Sequence, residues 1–80
     1  MITVRFFGLI REYSGQRQLI IEAKTVRDAL KRINETGVDR KLFRDALIFV
    51  NGKSLIGPRR LHYKLSDGDE LALLSPAGGG

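Results

Sequence analysis

The chain has 80 residues, no cysteine, one histidine and a formal charge of +5. Its length makes one domain near the lower limit for a self-sufficient core, and its 42% apolar and 29% charged residues argue against disorder. With no thiols, disulfides and zinc knuckles are excluded; no apolar run nears the roughly 20 residues that span a bilayer, so neither a transmembrane helix nor a secretory leader is expected, and the expected location is cytoplasmic.

Residues 2–7 open with Ile2, Val4 and Phe6 on one side and Thr3 and Arg5 on the other, the period of a half-buried strand. Phe7 is the odd member. It either covers a satellite of the core or forms part of a contact surface. Gly8 breaks the run, and Leu9 to Gly15 reads as a loop with a short helical turn at Leu9–Glu12. Arg17 to Glu22 is the second strand, antiparallel to the first because the connection is short.

Thr25 is placed as an N-cap, with Asp28 in the first helical turn where the helix dipole favours a negative charge. Val26, Ala29, Leu30 and Ile33 then fall at i, i+3, i+4 and i+7, one apolar stripe suited to lie on a sheet. Arg27, Lys31, Arg32 and Glu35 take the opposite, solvated face, and Gly37 suits the position just past the helix end. Val38 to Asp45 is connection, where Leu42 and Phe43 on a helical turn would plug the bottom of the core.

Ala46 to Val50 is apolar throughout, which predicts a strand interior to the sheet with one face further covered. Asn51-Gly52 is the strongest hairpin signal, suited to two positive-φ residues in a type I′ turn, and Lys53 to Ile56 is the return strand. Gly57-Pro58 ends it. Leu61 to Leu65 predicts a short helical turn with His62 and Lys64 exposed. After the turn at Asp67-Gly68-Asp69, residues 70–74 form the last strand. The order ββαβββ, with one helix able to cover only one face of a mixed sheet, is an α+β chain of the β-grasp (ubiquitin-like) arrangement, the last strand running parallel to the first in the middle.

The inventory for side-chain catalysis is nearly empty. His62 alone makes no metal cluster, and none of Ser14, Ser54, Ser66 and Ser75 sits in a nucleophile-elbow sequence. Asp67, Asp69 and Glu70 stand together beside a turn, which reads as a solvated turn before it reads as a cation site. The 14 Lys and Arg are spread along the chain without interleaved aromatics, which argues against a nucleic-acid partner. This emptiness points to a carrier or a binding module.

The chain's end is of another kind. Pro76 stops strand pairing for want of an N–H, and Gly78, Gly79 and Gly80 contribute no packing at the highest ordering entropy. The division is a fold over residues 1–75 and a tail over 76–80. Two readings fit the tail alone: a frayed end or expression remnant, or a thread that enters a narrow slot on another protein and presents the Gly80 carboxylate there.

Several stretches together resemble the ubiquitin-like sulfur carriers of the MoaD/ThiS-like family, most of all the small subunit of molybdopterin synthase. Val4 to Glu12 is similar to the family's opening strand and Leu-Arg-Glu loop, Thr25-Val26 with Leu30 to its helix start, and Val50-Asn51-Gly52 to its hairpin. Most specific is Leu65 to Pro76 followed by Gly79-Gly80, similar to the family's Leu-x-Asp-Gly-Asp-Glu-Val and Gly-Gly ending at the same spacing to the terminus. Departures are Leu73-Leu74 where aromatics are common, Ser75 where one proline is common, and Gly78 where a larger residue is usual.

The resemblance implies a carrier without catalytic side chains of its own. An E1-like activating enzyme would use ATP to adenylate Gly80, with no cofactor bound permanently, and a persulfide sulfur donor would convert it to a thiocarboxylate. The molybdopterin synthase large subunit would then take the sulfur. Gly78 and Gly79 would be steric permits for a tight channel, and Leu74, Pro76 and Phe7 the anchor around the tail's root. The same ending also serves thiamine and tRNA-thiolation carriers and ubiquitin-like protein modifiers. An RNA-binding β-grasp module is the remaining alternative, motivated by the charge.

Overall fold

The computed structural model of the protein describes residues 1–75. Five strands, β1 (Ile2–Phe7), β2 (Gln18–Ile21), β3 (Leu47–Val50), β4 (Lys53–Leu55) and β5 (Glu70–Leu74), form one sheet in the order β2-β1-β5-β3-β4. β5 enters the centre parallel to β1 and antiparallel to β3, and the two hairpins flank it. The alternation in β1 becomes burial: Ile2, Val4 and Phe6 point into the core with Leu71 and Leu73 of β5 and Ile48 and Val50 of β3. This is the mixed β-grasp sheet that the order of elements predicts.

The main helix, α2 (Val26–Glu35), lies over the core face. The Thr25 hydroxyl accepts the Asp28 N–H at 3.1 Å, satisfying one of the first turn's orphan donors, and Gly37 follows the helix end at φ 103°. Val26, Ala29 and Ile33 are fully buried, whereas Leu30 is half-buried at the margin of the stripe. Ile33→Ala should therefore cost about 2–5 kcal/mol and Leu30→Ala less. Chemical denaturation of the two variants orders them, and an equal or inverted ranking would place the helix wrongly.

Three local expectations change. Leu9 to Ser14 is a complete short helix, α1, where a loop with one turn is expected. It is closed by Gly15 at φ 72°, whose N–H donates to the Arg11 carbonyl at 3.2 Å. Its single buried residue, Ile10, leaves no periodic trace in the sequence. The segment after Pro58 makes a 3₁₀ turn at Arg60–His62, earlier than expected. Leu65 is then drawn out beside the start of α2, its N–H donating to the Lys24 carbonyl at 2.8 Å, while the Val26 N–H donates to the Tyr63 carbonyl at 3.1 Å. Finally, β4 ends at Leu55 and leaves Ile56 outside the ladder. Leu42 and Phe43 do plug the core, from a 3₁₀ turn at Arg40–Leu42.

Among the described residues no helix is long and apolar enough to cross a membrane, and no group of three metal-ligating side chains could hold an ion.

Candidate functional site

The sheet's second face is where the fold departs from a closed core. β3 is interior, as an apolar run predicts, but among the described residues nothing covers its outer side: Leu47 is 48% exposed and Phe49 half-buried. Pairing registers place Phe7 opposite Leu74 and Leu74 opposite Leu47. Beyond the ladder, Ile56 follows Leu55, the partner of Ile48, on the side of Leu47. One row of apolar side chains thus runs across β1, β5 and β3 from Phe7, which is 39% exposed, with Ile56 at 87% exposure beyond its β3 end.

The next row, Arg5, Ala72, Phe49 and Ser54, extends the apolar area through Ala72 and Phe49 and then turns polar. Arg5 and Glu70 form a loose ion pair at 3.9 Å on this rim. Scattered exposed apolar residues need no explanation, but a contiguous row with a charged margin is the composition of a docking surface.

The row lies at the end of the sheet where β5 finishes, so its central member, Leu74, directly precedes the residue from which the chain leaves the fold. Phe7 and Leu74, two of the residues expected to anchor the tail's root, are brought together here. Phe7 is not part of the core. Pro76, Gly78, Gly79 and Gly80 lie outside the described residues.

Sequence reasoning passed over Leu47, Phe49 and Ile56. A signal existed, because a strand apolar on both faces must bury the second face against something. The apolar run predicts one face further covered, and the large helix of the described residues already lies on the other side.

The opposite end of β5 is built for rigidity. The Asn51 side chain spans the gap between the hairpin and the last strand: its Nδ2 donates to Asp69 at 3.0 Å and its Oδ1 accepts the Glu70 N–H at 2.9 Å. Asn51 itself sits at φ 51° and Gly52 at φ 82°, the two positive values of a type I′ turn. Asp69 also accepts the Ser66 N–H at 2.8 Å, and this bond, with the one from Asn51, holds its carboxyl below the usual carboxylate range. The acidic turn is therefore a hydrogen-bonded brace for β5.

At the exit end, Gly8 has φ 66° and ψ −142°, a conformation close to glycine's own region. A β-carbon there would stand 3.0 Å from the Ser75 hydroxyl oxygen and 3.3 Å from a Leu74 methyl. The same hydroxyl accepts the Ile10 N–H at 3.2 Å.

Known proteins share the fold. The model of the ThiS family matches residues 4–80. Among solved structures, a chain in the complex of subunits 1 and 2 of the molybdopterin-converting factor from Helicobacter pylori 26695 is similar at 26% identity, covering 99% of this chain and 97% of that one, with a TM-score of 0.74. SAMP1 from Haloferax volcanii is similar at 25% identity over 99% and 98% of the two chains, TM-score 0.75. The Amycolatopsis orientalis BexX/CysO complex contains the same fold at 21% identity, with full coverage of both chains and a TM-score of 0.80. No curated protein matches. A family match running from β1 to the last glycine, on a five-stranded sheet with one main helix, places the chain in the ThiS family of ubiquitin-like sulfur carriers.

Proposed function

We propose that the protein is the small subunit of a molybdopterin synthase, carrying sulfur on its own C-terminus. The observation that carries the reading is the apolar row Phe7, Leu74 and Leu47 beside the point where the chain leaves the fold, in a chain of this family that ends Gly79-Gly80. The similarity over the whole chain to a subunit of the Helicobacter pylori complex supports a large-subunit partner docking on that row.

The chemistry asked of the chain is confined to its last carboxylate. In an activating enzyme the Gly80 carboxylate attacks the α-phosphorus of ATP, and pyrophosphate leaves. The acyl-adenylate is electrophilic because AMP is a good leaving group, which the free carboxylate lacks. The terminal sulfur of a persulfide displaces AMP, and a second thiol cleaves the resulting acyl disulfide at its outer sulfur. The products are the Gly80 thiocarboxylate and a disulfide. Glycines at 78 and 79 let the backbone lie in a channel too tight for side chains. Acid–base groups and anion-stabilising donors come from the partners.

Intact-mass measurement tests this reading. The protein incubated with its activating enzyme, ATP and a persulfide donor should gain the difference of one sulfur for one oxygen. Addition of the large subunit and the pterin precursor should return it to the original mass. A ladder of conjugates on target lysines would instead make it a modifier. Sulfur loading that returns only with a tRNA or thiazole acceptor would reassign the pathway.

A further inference from the structure

The Ser75 hydroxyl is the last side chain of the described fold and is tied to a residue that cannot move with it. Its acceptor bond comes from the Ile10 N–H at 3.2 Å, and the Ile10 side chain is fully buried in the core. α1 is thereby fixed, and the hydroxyl with it. Gly8 contributes by having no side chain: a β-carbon would press on the Ser75 hydroxyl at 3.0 Å and on the Ser75 carbonyl oxygen at 3.1 Å. The space that Gly8 leaves is the space in which Ser75 lies. Two contacts, one at the glycine that caps α1 and one at the helix's second residue, therefore constrain one residue.

We infer that Ser75, held by the Ile10 N–H and seated against Gly8, is a positioning residue that sets the direction in which the tail leaves the sheet. This rests on the reading of Gly80 as the reacting end. Where the chain has serine instead of a ring-constrained residue, a hydrogen bond does the fixing. An unfixed exit lets the tail sample many directions, and only the fraction aimed into a partner's channel reacts. That fraction scales the turnover of docked complexes while docking through the apolar row is unaffected.

The test uses the full chain as wild type, Ser75→Ala and Ser75→Thr. Amide hydrogen exchange at Ile10 reads the bond itself, and ATP–pyrophosphate exchange by the activating enzyme reads the positioning. Ser75→Ala should lose Ile10 protection about tenfold and lower kcat about five- to tenfold, the population worth of one hydrogen bond, with KM unchanged. Ser75→Thr, which keeps the hydroxyl, should restore both. Unchanged Ile10 protection in Ser75→Ala overturns the bond. Lost protection with kcat intact, or a loss borne by KM alone, overturns the positioning role. If the wild type itself supports no exchange, the reading of Gly80 fails and takes the positioning role with it, while Ile10 protection still decides whether the bond exists.

Discussion

A chain ending at Gly79 should fold as the full-length protein does and accept no sulfur. Among the described residues the buried core runs from Ile2 to Leu73, and a terminal glycine has no side chain to add to it. The thermal midpoint should stay where it is. The chemistry is another matter, because one residue of extended chain spans roughly 3.3–3.6 Å. A misplacement of about 1 Å at a reacting centre can cost on the order of a hundredfold, so a carboxylate withdrawn by a whole residue should fall to background. Gly79→Val, which keeps the length and adds a branched side chain, should also lose adenylation by about a hundredfold or more if the channel is as narrow as the glycines imply. Pyrophosphate exchange and intact mass check the activity, and a thermal melt checks the fold. A melt lowered by many degrees would make the tail structural. Full sulfur loading of the shortened chain would end the carrier reading.

The central sheet and main helix were legible because their residues obey the periods that backbone geometry imposes. Ile2, Val4 and Phe6 alternate, Val26, Ala29 and Ile33 follow the helical turn, and Asn51-Gly52 is a pair that hairpins with two positive φ values demand. The parallel placement of β5 followed from topology, since a short last strand that must be buried has only the centre to enter. α1 was legible only as a turn at Leu9–Glu12, because one buried side chain, Ile10, defines no period that would show its full length. Ile56 read as part of a strand because its neighbours have strand character. Its ladder stops at Leu55, before the Gly57 turn at φ 99°.

The candidate site was half legible. Phe7 and Leu74 were expected near the tail's root and pair with each other, but Leu47 lies far from them in sequence and is joined to Leu74 only by pairing register. The bond between Ser75 and Ile10 spans 65 positions and has no local signal at all. What a single sequence conveys is the preference of each segment. Which segments share a face is decided by the sheet as a whole.

Leu47→Asp should separate docking from folding. Leu47 is 48% exposed on the uncovered face, so a carboxylate there stays in water in the isolated protein. The fold loses only a cross-strand pair with Leu74, worth roughly 0.2–1 kcal/mol. In a complex that closes over the row, the same carboxylate would lose its water without gaining a partner. Residues central to such surfaces cost about 2 kcal/mol or more when removed, and a buried unpaired charge adds to that, so affinity for the large subunit should fall at least about thirtyfold. Phe7→Ala should weaken binding less, because Phe7 stands at the end of the row and not at its middle. A charge reversal on the outer side of α2, Arg27→Glu, is the control and should change neither affinity nor melting. Calorimetric titration of the three variants against the large subunit orders them. Tight binding by Leu47→Asp together with weak binding by Arg27→Glu would move the docking surface to the helical side and leave the apolar row without a partner.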